Sequence, residues 1–474
     1  MPAEITLELV DGVRIVVPDS LNLITPYVLQ EQQDWFEVEI KFLRRLIRPG
    51  QKVIDIGANY GVYALTLARS VGPTGRVWAF EPASSTAKLL ASGIAANNFT
   101  HIELIRSALS SAPGTAQLSI NVHSELNELV RGDRPAGATE TVSCVTLDDS
   151  MLKYGWQDID FIKIDAEGEE TNILSAATRF LEAESPLIQY EIKVGSNINL
   201  DLVERFAALG YESYRLVPGI DLLVPFQLED AADDYLLNVF CCKPDRAARL
   251  AAQGFLVQTG TNASPARLGE LSRLSDSSDT HGWRTALAGL PYGALLAAEW
   301  TQQMARNESH GVEQSLFHYA LCRDTSLRPP ERFAALAASF EGFKRICASQ
   351  PTGTRLSSLA RVAADYGARS VAVKTLEQLG RSLVQHDAQV DISEPFLAPG
   401  ARFDRLSPGA REAVPRWLTA AVLEEFERNR YLSSFYAGNS GKWLLEMIRK
   451  LGLGSEEMQR RLALVEKRFG QGGP

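Results

Sequence analysis

Val53-Ile54-Asp55-Ile56-Gly57-Ala58-Asn59-Tyr60-Gly61 is the stretch on which the reading of this chain turns. Its β-branched opening predicts a buried strand, and the stretch Tyr60–Ser70 predicts a helix directly after it. The two are joined by a glycine turn. Glycine lets the backbone turn tightly and lets a ligand approach it, and the helix N-terminus adds free N–H groups and the positive end of a dipole. A dinucleotide turn needs G-x-G-x-x-G to hold a pyrophosphate. This turn reads G-x-N-x-G, one residue shorter, with an acid two positions before the first glycine. A pyrophosphate has no use for that acid. A nucleoside cofactor with a cationic amino-acid tail and no phosphate tolerates it, and S-adenosylmethionine fits that description.

The same alternation continues outward. Arg76–Phe80 is followed by a helical Ser84–Asn97, and then come Ile102–Ile105, Phe161–Ile164 and Leu187–Ile192. Strands separated by helices imply βαβ units and a parallel sheet. Glu212–Val217 and Tyr235–Cys241 are joined by a loop with Pro218-Gly219 and Pro225 and read as a hairpin, so the last strand is expected to be antiparallel. Thr6–Val17 reads as an earlier hairpin turning at Asp11-Gly12. Tyr27, Trp35 and Phe36, with Ile40, Leu43 and Ile47, fit a helix packed on the sheet; an aromatic wall for a sugar ring is the alternative.

After Asp245 the strand signal is lost, and Ala, Leu, Glu, Arg and Gln dominate. Leu356, Leu359, Val362 and Tyr366, then Gly367, then Val371, Leu376 and Leu379 predict a helical hairpin. It is similar to one tetratricopeptide unit, but no second copy follows at that period, so a generic hairpin is the better reading. Ser455 is placed to cap a last helix with Met458, Leu462, Val465 and Phe469 on one face and Gly470 at its end. The expectation is a class I, Rossmann-like α/β sheet domain over residues 1–245, followed by a mainly α-helical domain over 246–474.

Of 474 residues, 45% are hydrophobic and 22% charged, which excludes wholesale disorder. No apolar run approaches the ~18 residues of a bilayer span, and no secretory signal is visible at the start. Five cysteines (Cys144, Cys241, Cys242, Cys322, Cys347) lack C-x-x-C spacing, which points to a reducing, cytoplasmic setting. Residues 1–245 carry a net charge of −16 and the remainder +6. The acidic half is a poor surface for duplex nucleic acid, which needs clustered cations. The mildly basic half suits an anionic partner, but a solvated surface is the plainer reading; the helical domain is also a candidate for a protein partner or self-association.

The candidate chemistry sits at the strand ends, where open α/β sheets bind ligands. In Phe80-Glu81-Pro82, Glu81 is placed to accept hydrogen bonds from both ribose hydroxyls of a nucleoside; the plainer reading makes it a helix-start acid. In Arg106-Ser107-Ala108, small side chains leave backbone groups able to frame an adenine. The fourth strand runs into Asp165-Ala166-Glu167-Gly168-Glu169-Glu170. Glu169 and Glu170 suit a structural role at a helix start, whereas Asp165 sits at the strand tip. The fifth strand ends in Gln189-Tyr190-Glu191, and if it neighbours the fourth, Asp165 and Glu191 both face the acceptor.

Together, the Asp55–Gly61 turn, Phe80-Glu81-Pro82, Val145-Thr146-Leu147-Asp148-Asp149 and Phe161–Glu169 resemble the FkbM family of S-adenosylmethionine-dependent methyltransferases. The resemblance covers roughly residues 25–245 and leaves the C-terminal helical region as an addition. It implies a seven-stranded Rossmann-like sheet and methylation of hydroxyl oxygens of sugars and natural products. It also implies that Asp55, Gly57, Asn59 and Gly61 hold the methionine part, that Glu81 holds the ribose, and that Asp165 lies beside the methyl group, with Ala58 and Pro82 also counted in the cofactor site.

Methyl transfer from a sulfonium is an in-line displacement, so alignment is much of the catalysis. A sugar hydroxyl also needs a base or a bound cation to lose its proton. Asp165, Glu167 and Glu191 are the base candidates, and His123, in the loop Asn121–Asn127 that is expected to cover the crevice, is a secondary one. Asp165 and Glu191 together suit Mg²⁺, but direct base catalysis is favoured and no metal site is assigned. The leading expectation is an O-methyltransferase acting on a glycan or glycosylated small molecule. A nicotinamide oxidoreductase needs a different turn. A nucleic-acid methyltransferase needs an Asn/Asp-Pro-Pro-aromatic motif where Asp165-Ala166-Glu167-Gly168 stands. A catalytically weak scaffold that recruits partners through its helical half is opposed by the intact Asp55, Gly57, Gly61 and Glu81 set.

Overall fold

A computed structural model describes residues 3–130, 137–194, 197–198, 200–260, 282–304, 310–385 and 390–470. Contacts divide the chain into two compact units. One comprises Met1–Arg215, Pro225–Ala231 and Leu236–Ala252; the other comprises Leu216–Val224, Ala232–Tyr235 and Gln253–Pro474.

Short β-branched and aromatic runs build the first unit's sheet. Seven strands stand in the order Glu212–Val217, Asn238–Cys242, Leu187–Glu191, Phe161–Ile164, Lys52–Ile56, Arg76–Phe80 and Ile102–Ile105. The five strands from Leu187–Glu191 to Ile102–Ile105 pair in parallel, and Asn238–Cys242 is antiparallel to both neighbours. This is the mostly parallel, Rossmann-like arrangement expected, with the antiparallel strand in it. Because the chain leaves Lys52–Ile56 in one direction and later returns to Phe161–Ile164 beside it, the crevice beyond these two strand tips is the switch point where ligands settle.

Strand alternation gives the sheet two unlike faces. Ile54, Ile56, Trp78, Phe80, Ile162, Ile164, Ile188 and Tyr190 enter an apolar core with Trp156 and Phe180. The other face carries the register row Asp55, Lys163 and Gln189, followed by Phe240. An acid, a cation and an amide thus sit side by side in the buried interior of the sheet.

The Thr6–Val17 hairpin forms as Glu4–Glu8 against Arg14–Pro18. The single helix expected around Trp35 does not form. Helices Ile24–Gln32 and Val38–Leu46 are separated at Gln33, which adopts a left-handed φ of 56° and caps the first of them. Asp34 fixes the connection by pairing with Arg44 at 2.7 Å. A second sheet, with no counterpart in the sequence reading, joins Ala108–Leu109, Thr139–Val145 and Gly114–Ser119. The Thr146-Leu147-Asp148-Asp149 motif is structural. Thr146 accepts the Asp149 N–H to cap helix Leu147–Tyr154, and Asp148 accepts the Phe180 N–H at 2.8 Å.

The second unit is built mainly of helices. His310–Cys322 packs on Pro329–Ser349, Gly353–Tyr366 on Arg369–Gln385, and Lys442–Leu451 on Glu456–Phe469. Gly367 ends the predicted hairpin's first helix in a left-handed conformation, and Ser455 caps the last helix. Phe469 departs from the expected apolar face and is 36% exposed. The core also takes in Val217, Ile220, Leu222 and Val224. Arg461 and Glu427 form a buried ion pair at 3.3 Å. Among the described residues no helix is long and apolar enough to cross a membrane.

Candidate active site

The two central strand tips meet through Gly57. Its φ is +80°, and a Cβ built on it would stand 1.8 Å from the Asp165 carbonyl oxygen, so no side chain fits between the turn and the fourth strand's end. The Gly57 and Ala58 N–H groups donate to Phe80 O, and the Asp165 N–H donates to Ile56 O at 3.1 Å. Gly61, at φ +91°, starts helix Val62–Val71 with Leu65 and Leu90 against its α-carbon.

Glu81 is the best-fixed acid in the site. One carboxylate oxygen accepts the Asn59 N–H and the other the Ala83 N–H, each at 2.9 Å. Burial pushes this carboxyl up to about 7 against those two hydrogen bonds. Each oxygen accepts one backbone donor and keeps a further lone pair, as a ribose diol requires. Ser107 donates its backbone N–H to Ile105 O, and Ala108 begins the small second sheet beside it.

Asp55 is 1% exposed, and neither oxygen accepts a well-formed hydrogen bond among the described residues. Burial raises this carboxyl to about 6, although Lys163 pulls it down. A buried acid with unspent acceptors, under a glycine turn at a helix start, fits the cationic end of an amino-acid-tailed nucleoside.

Tyr190 is paired with Ile164, so the fourth and fifth strands are neighbours and Asp165 and Glu191 each follow this pair at adjacent strand tips. Glu167, at φ 44°, belongs to the turn after Asp165. Burial, then repulsion from Asp165, pushes Glu167 up to about 8 and Glu191 up to about 9. Among the described residues, Asp165 is the one of the three in an ion pair: Lys163 Nζ stands 2.5 Å from its Oδ2. Glu170 closes the turn by accepting the Ala166 N–H at 3.0 Å, and Glu169 accepts the Ser110 hydroxyl at 2.8 Å, so both have the structural role read from the sequence. Among the described residues no three His, Cys, Asp or Glu side chains form a metal-binding group.

The Asn121–Asn127 loop reaches the turn, with the Ser124 hydroxyl donating to Asn59 Oδ1 at 3.0 Å. Glu125 accepts the Thr25 N–H at 3.1 Å. His123 stands at the head of this segment. The sequence reading missed Lys163, Glu37, Tyr63 and Gln189. Tyr63 donates its hydroxyl to Glu37 and accepts from Gln189 Nε2 at 3.2 Å, and Lys163 lies 4.7 Å from the Tyr63 ring centre. A lysine inside the apolar run Phe161-Ile162-Lys163-Ile164 was the available signal. Trp35 and Phe36, with ring centres 4.4 Å apart, are half-buried in the connection leading to Glu37.

The raised acids predict an unusual pH dependence. Between pH 6.5 and 9, ordinary carboxylates are ionised in folded and unfolded chains alike. Glu81, Glu167 and Glu191, at about 7, 8 and 9, hold protons in the folded state that the unfolded state has released. Stability then falls as pH rises, because the native state binds more protons. The thermal midpoint of the first unit is expected to drop by several degrees from pH 6.5 to pH 9. A flat or rising midpoint across that window would contradict the buried-acid assignment.

Comparison with known proteins bears on this geometry. Residues 55–213 match the profile of the methyltransferase FkbM domain. No curated protein matches the chain. Among solved structures, methyltransferase FkbM from Methylobacillus flagellatus KT is 17% identical, with 40% of this chain and 43% of that one covered at a TM-score of 0.28. A SAM-dependent methyltransferase from Aquifex aeolicus is 14% identical over 46% of this chain and 93% of its own, at 0.27. An O-methyltransferase from Bacillus cereus, in complex with SAH, is 15% identical over 43% of this chain and 80% of its own, at 0.27.

Proposed function

We propose, from the premise that the chain carries a methyltransferase FkbM domain at residues 55–213, that it is an S-adenosylmethionine-dependent enzyme that methylates a hydroxyl of a sugar, glycan or glycosylated small molecule. The observation that carries the acceptor chemistry is the group of three acids, Asp165, Glu167 and Glu191, gathered beside the glycine turn with Asp165 ion-paired to Lys163. When bound, the donor supplies an electrophilic methyl on a sulfonium. Asp55 and the Gly57–Gly61 turn are placed to take its amino-acid end. Glu81, followed by Pro82, takes the ribose, and Ser107 and Ala108 border the adenine.

Asp165 then accepts the proton that the acceptor hydroxyl gives up, while the oxygen's electron pair forms the new bond to carbon and the carbon–sulfur bond breaks. Glu191 and Glu167, protonated at neutral pH, donate hydrogen bonds to acceptor oxygens rather than compete for the proton. Burial and repulsion from Asp165 hold the two glutamates in that protonated form. Trp35 and Phe36 support a sugar acceptor, because aromatic faces pack on the apolar faces of such rings. The acidic charge of residues 1–245 opposes a nucleic-acid acceptor. His123 is the secondary base candidate at the rim. The helical unit, with Tyr436 and Trp443 exposed, is assigned to recruiting a protein partner or a second copy.

Calorimetry with S-adenosylhomocysteine tests the donor half. The wild type is expected to bind in the micromolar range and Glu81→Ala at least tenfold more weakly. Equal binding by both would remove the ribose assignment. A gain of one methyl on a sugar, read by mass spectrometry, tests the acceptor half.

A further inference from the structure

Proton removal at Asp165 does not account for the charged row beneath the strand tips. Lys163 is 5% exposed and rises from the middle of the sheet, in register with Asp55 on one neighbouring strand and Gln189 on the other. Its ammonium sits 2.5 Å from Asp165 Oδ2 and 4.7 Å from the Tyr63 ring centre. Tyr63 carries the row on to Glu37. Burial disfavours the ammonium, but Asp165, Asp55 and Glu37 outweigh burial and keep it charged. One cation therefore stands between the acid under the glycine turn and the acid at the acceptor side.

We propose that Lys163 is a positioning residue that sets the charge of the donor site: it offsets Asp55 and Asp165 from below, so that the cationic donor is not held far more tightly than its neutral thioether product. The inference rests on the donor reading above. Donor and product differ by one positive charge on sulfur. An uncompensated acid within about 8 Å of that charge, at an effective dielectric constant of about 20, favours the donor by more than tenfold. Two such acids without Lys163 would make a site that keeps discriminating charge after the ribose and adenine contacts are satisfied. With Lys163 present, the donor's added charge meets a carboxylate and an ammonium together, and the preference shrinks.

The test is calorimetry on the full chain at pH 8.5 with S-adenosylmethionine and S-adenosylhomocysteine, in two buffers of different ionisation enthalpy. The wild type is expected to bind the two within about threefold of each other. Lys163→Gln keeps a hydrogen-bonding group but no charge. It is expected to shift the ratio at least tenfold toward the donor, or to release a proton on donor binding where the wild type releases none. Lys163→Arg keeps the charge and is expected to keep the wild-type ratio. A folded Lys163→Gln protein with an unmoved ratio and no proton release would overturn the proposal, as would a wild type that already prefers the donor by more than about thirtyfold. If Lys163→Gln does not fold, the wild-type ratio alone decides. Failure of either ligand to bind the wild type would instead bring down the donor reading, a different result from an unmoved ratio.

Discussion

Asp165→Asn is expected to lower turnover by about 10²–10⁴ while leaving affinity for S-adenosylhomocysteine within a few-fold, the range lost when a positioned general base is removed. The substitution is nearly isosteric, and the Asp165 backbone still accepts Gly57 against it. What disappears is the carboxylate that faces Lys163 at 2.5 Å. Glu191→Gln separates this assignment from its rival. Because burial and repulsion from Asp165 raise Glu191 to about 9, it is protonated at pH 7, and glutamine reproduces its donor. Its turnover should stay within about threefold of wild type at pH 7. Above pH 9 the wild type ionises Glu191 beside Asp165 and loses activity, and the variant escapes that particular loss. If Glu191→Gln were inactive and Asp165→Asn active at pH 7, the two carboxyls would exchange roles. Undiminished turnover in Asp165→Asn would remove it as base.

How much of this was legible beforehand depends on the kind of signal each residue left. The parallel strands were, because strands covered on both faces are near-continuously apolar, and Lys52–Ile56, Arg76–Phe80 and Phe161–Ile164 are punctuated by helices with their own period. Gly57, Glu81 and Asp165 were also legible, because position at a strand tip is a local property. The small sheet was not. Gly114–Ser119 is largely exposed, so no apolar alternation marks it, and its order comes from pairing with Thr139–Val145.

Partnership was the other thing hidden. Lys163 stood out as a cation in an apolar run, but that it faces Asp55 rather than solvent follows only from the register between two strands more than a hundred residues apart. Glu37 was hidden for a third reason. The apolar spacing around Trp35 continues across Gln33, whose left-handed turn breaks the helix and carries Glu37 to the Tyr63 hydroxyl. The apolar segment from Leu216 to Val224 shows a similar limit. It reads as the end of one strand and a loop, whereas Leu222–Pro225 forms a strand of its own and Val217, Leu222 and Val224 join the core of the helical unit.

Gly57→Ala is expected to be the most damaging single substitution in the turn, and two other glycines of the same region show why. Gly168, Gly61 and Gly57 have φ of +91°, +91° and +80°, so alanine meets backbone strain at each, worth about 1–2 kcal/mol. At Gly168 nothing lies within 4 Å of the added Cβ, and strain is the whole cost. At Gly61 the Cβ would stand 2.4 Å from Leu90 Cδ1, a flexible side-chain end that can swing away. At Gly57 it would stand 1.8 Å from the Asp165 carbonyl oxygen, which belongs to a backbone held by the Asp165 N–H bond to Ile56 O. The turn or the strand tip has to move. The thermal midpoint should therefore fall in the order Gly168→Ala, Gly61→Ala, Gly57→Ala. The last should lose roughly 10 °C if strain and clash together reach about 4 kcal/mol, at 2–4 °C per kcal/mol for a unit of this size. Gly57→Ala should also lose methyl transfer at temperatures where it remains folded, because relieving the clash displaces Asp165 by a distance that alignment does not tolerate. Equal midpoints for Gly57→Ala and Gly168→Ala would mean that the two strand tips are not in contact, and the shared site at their junction would go with them.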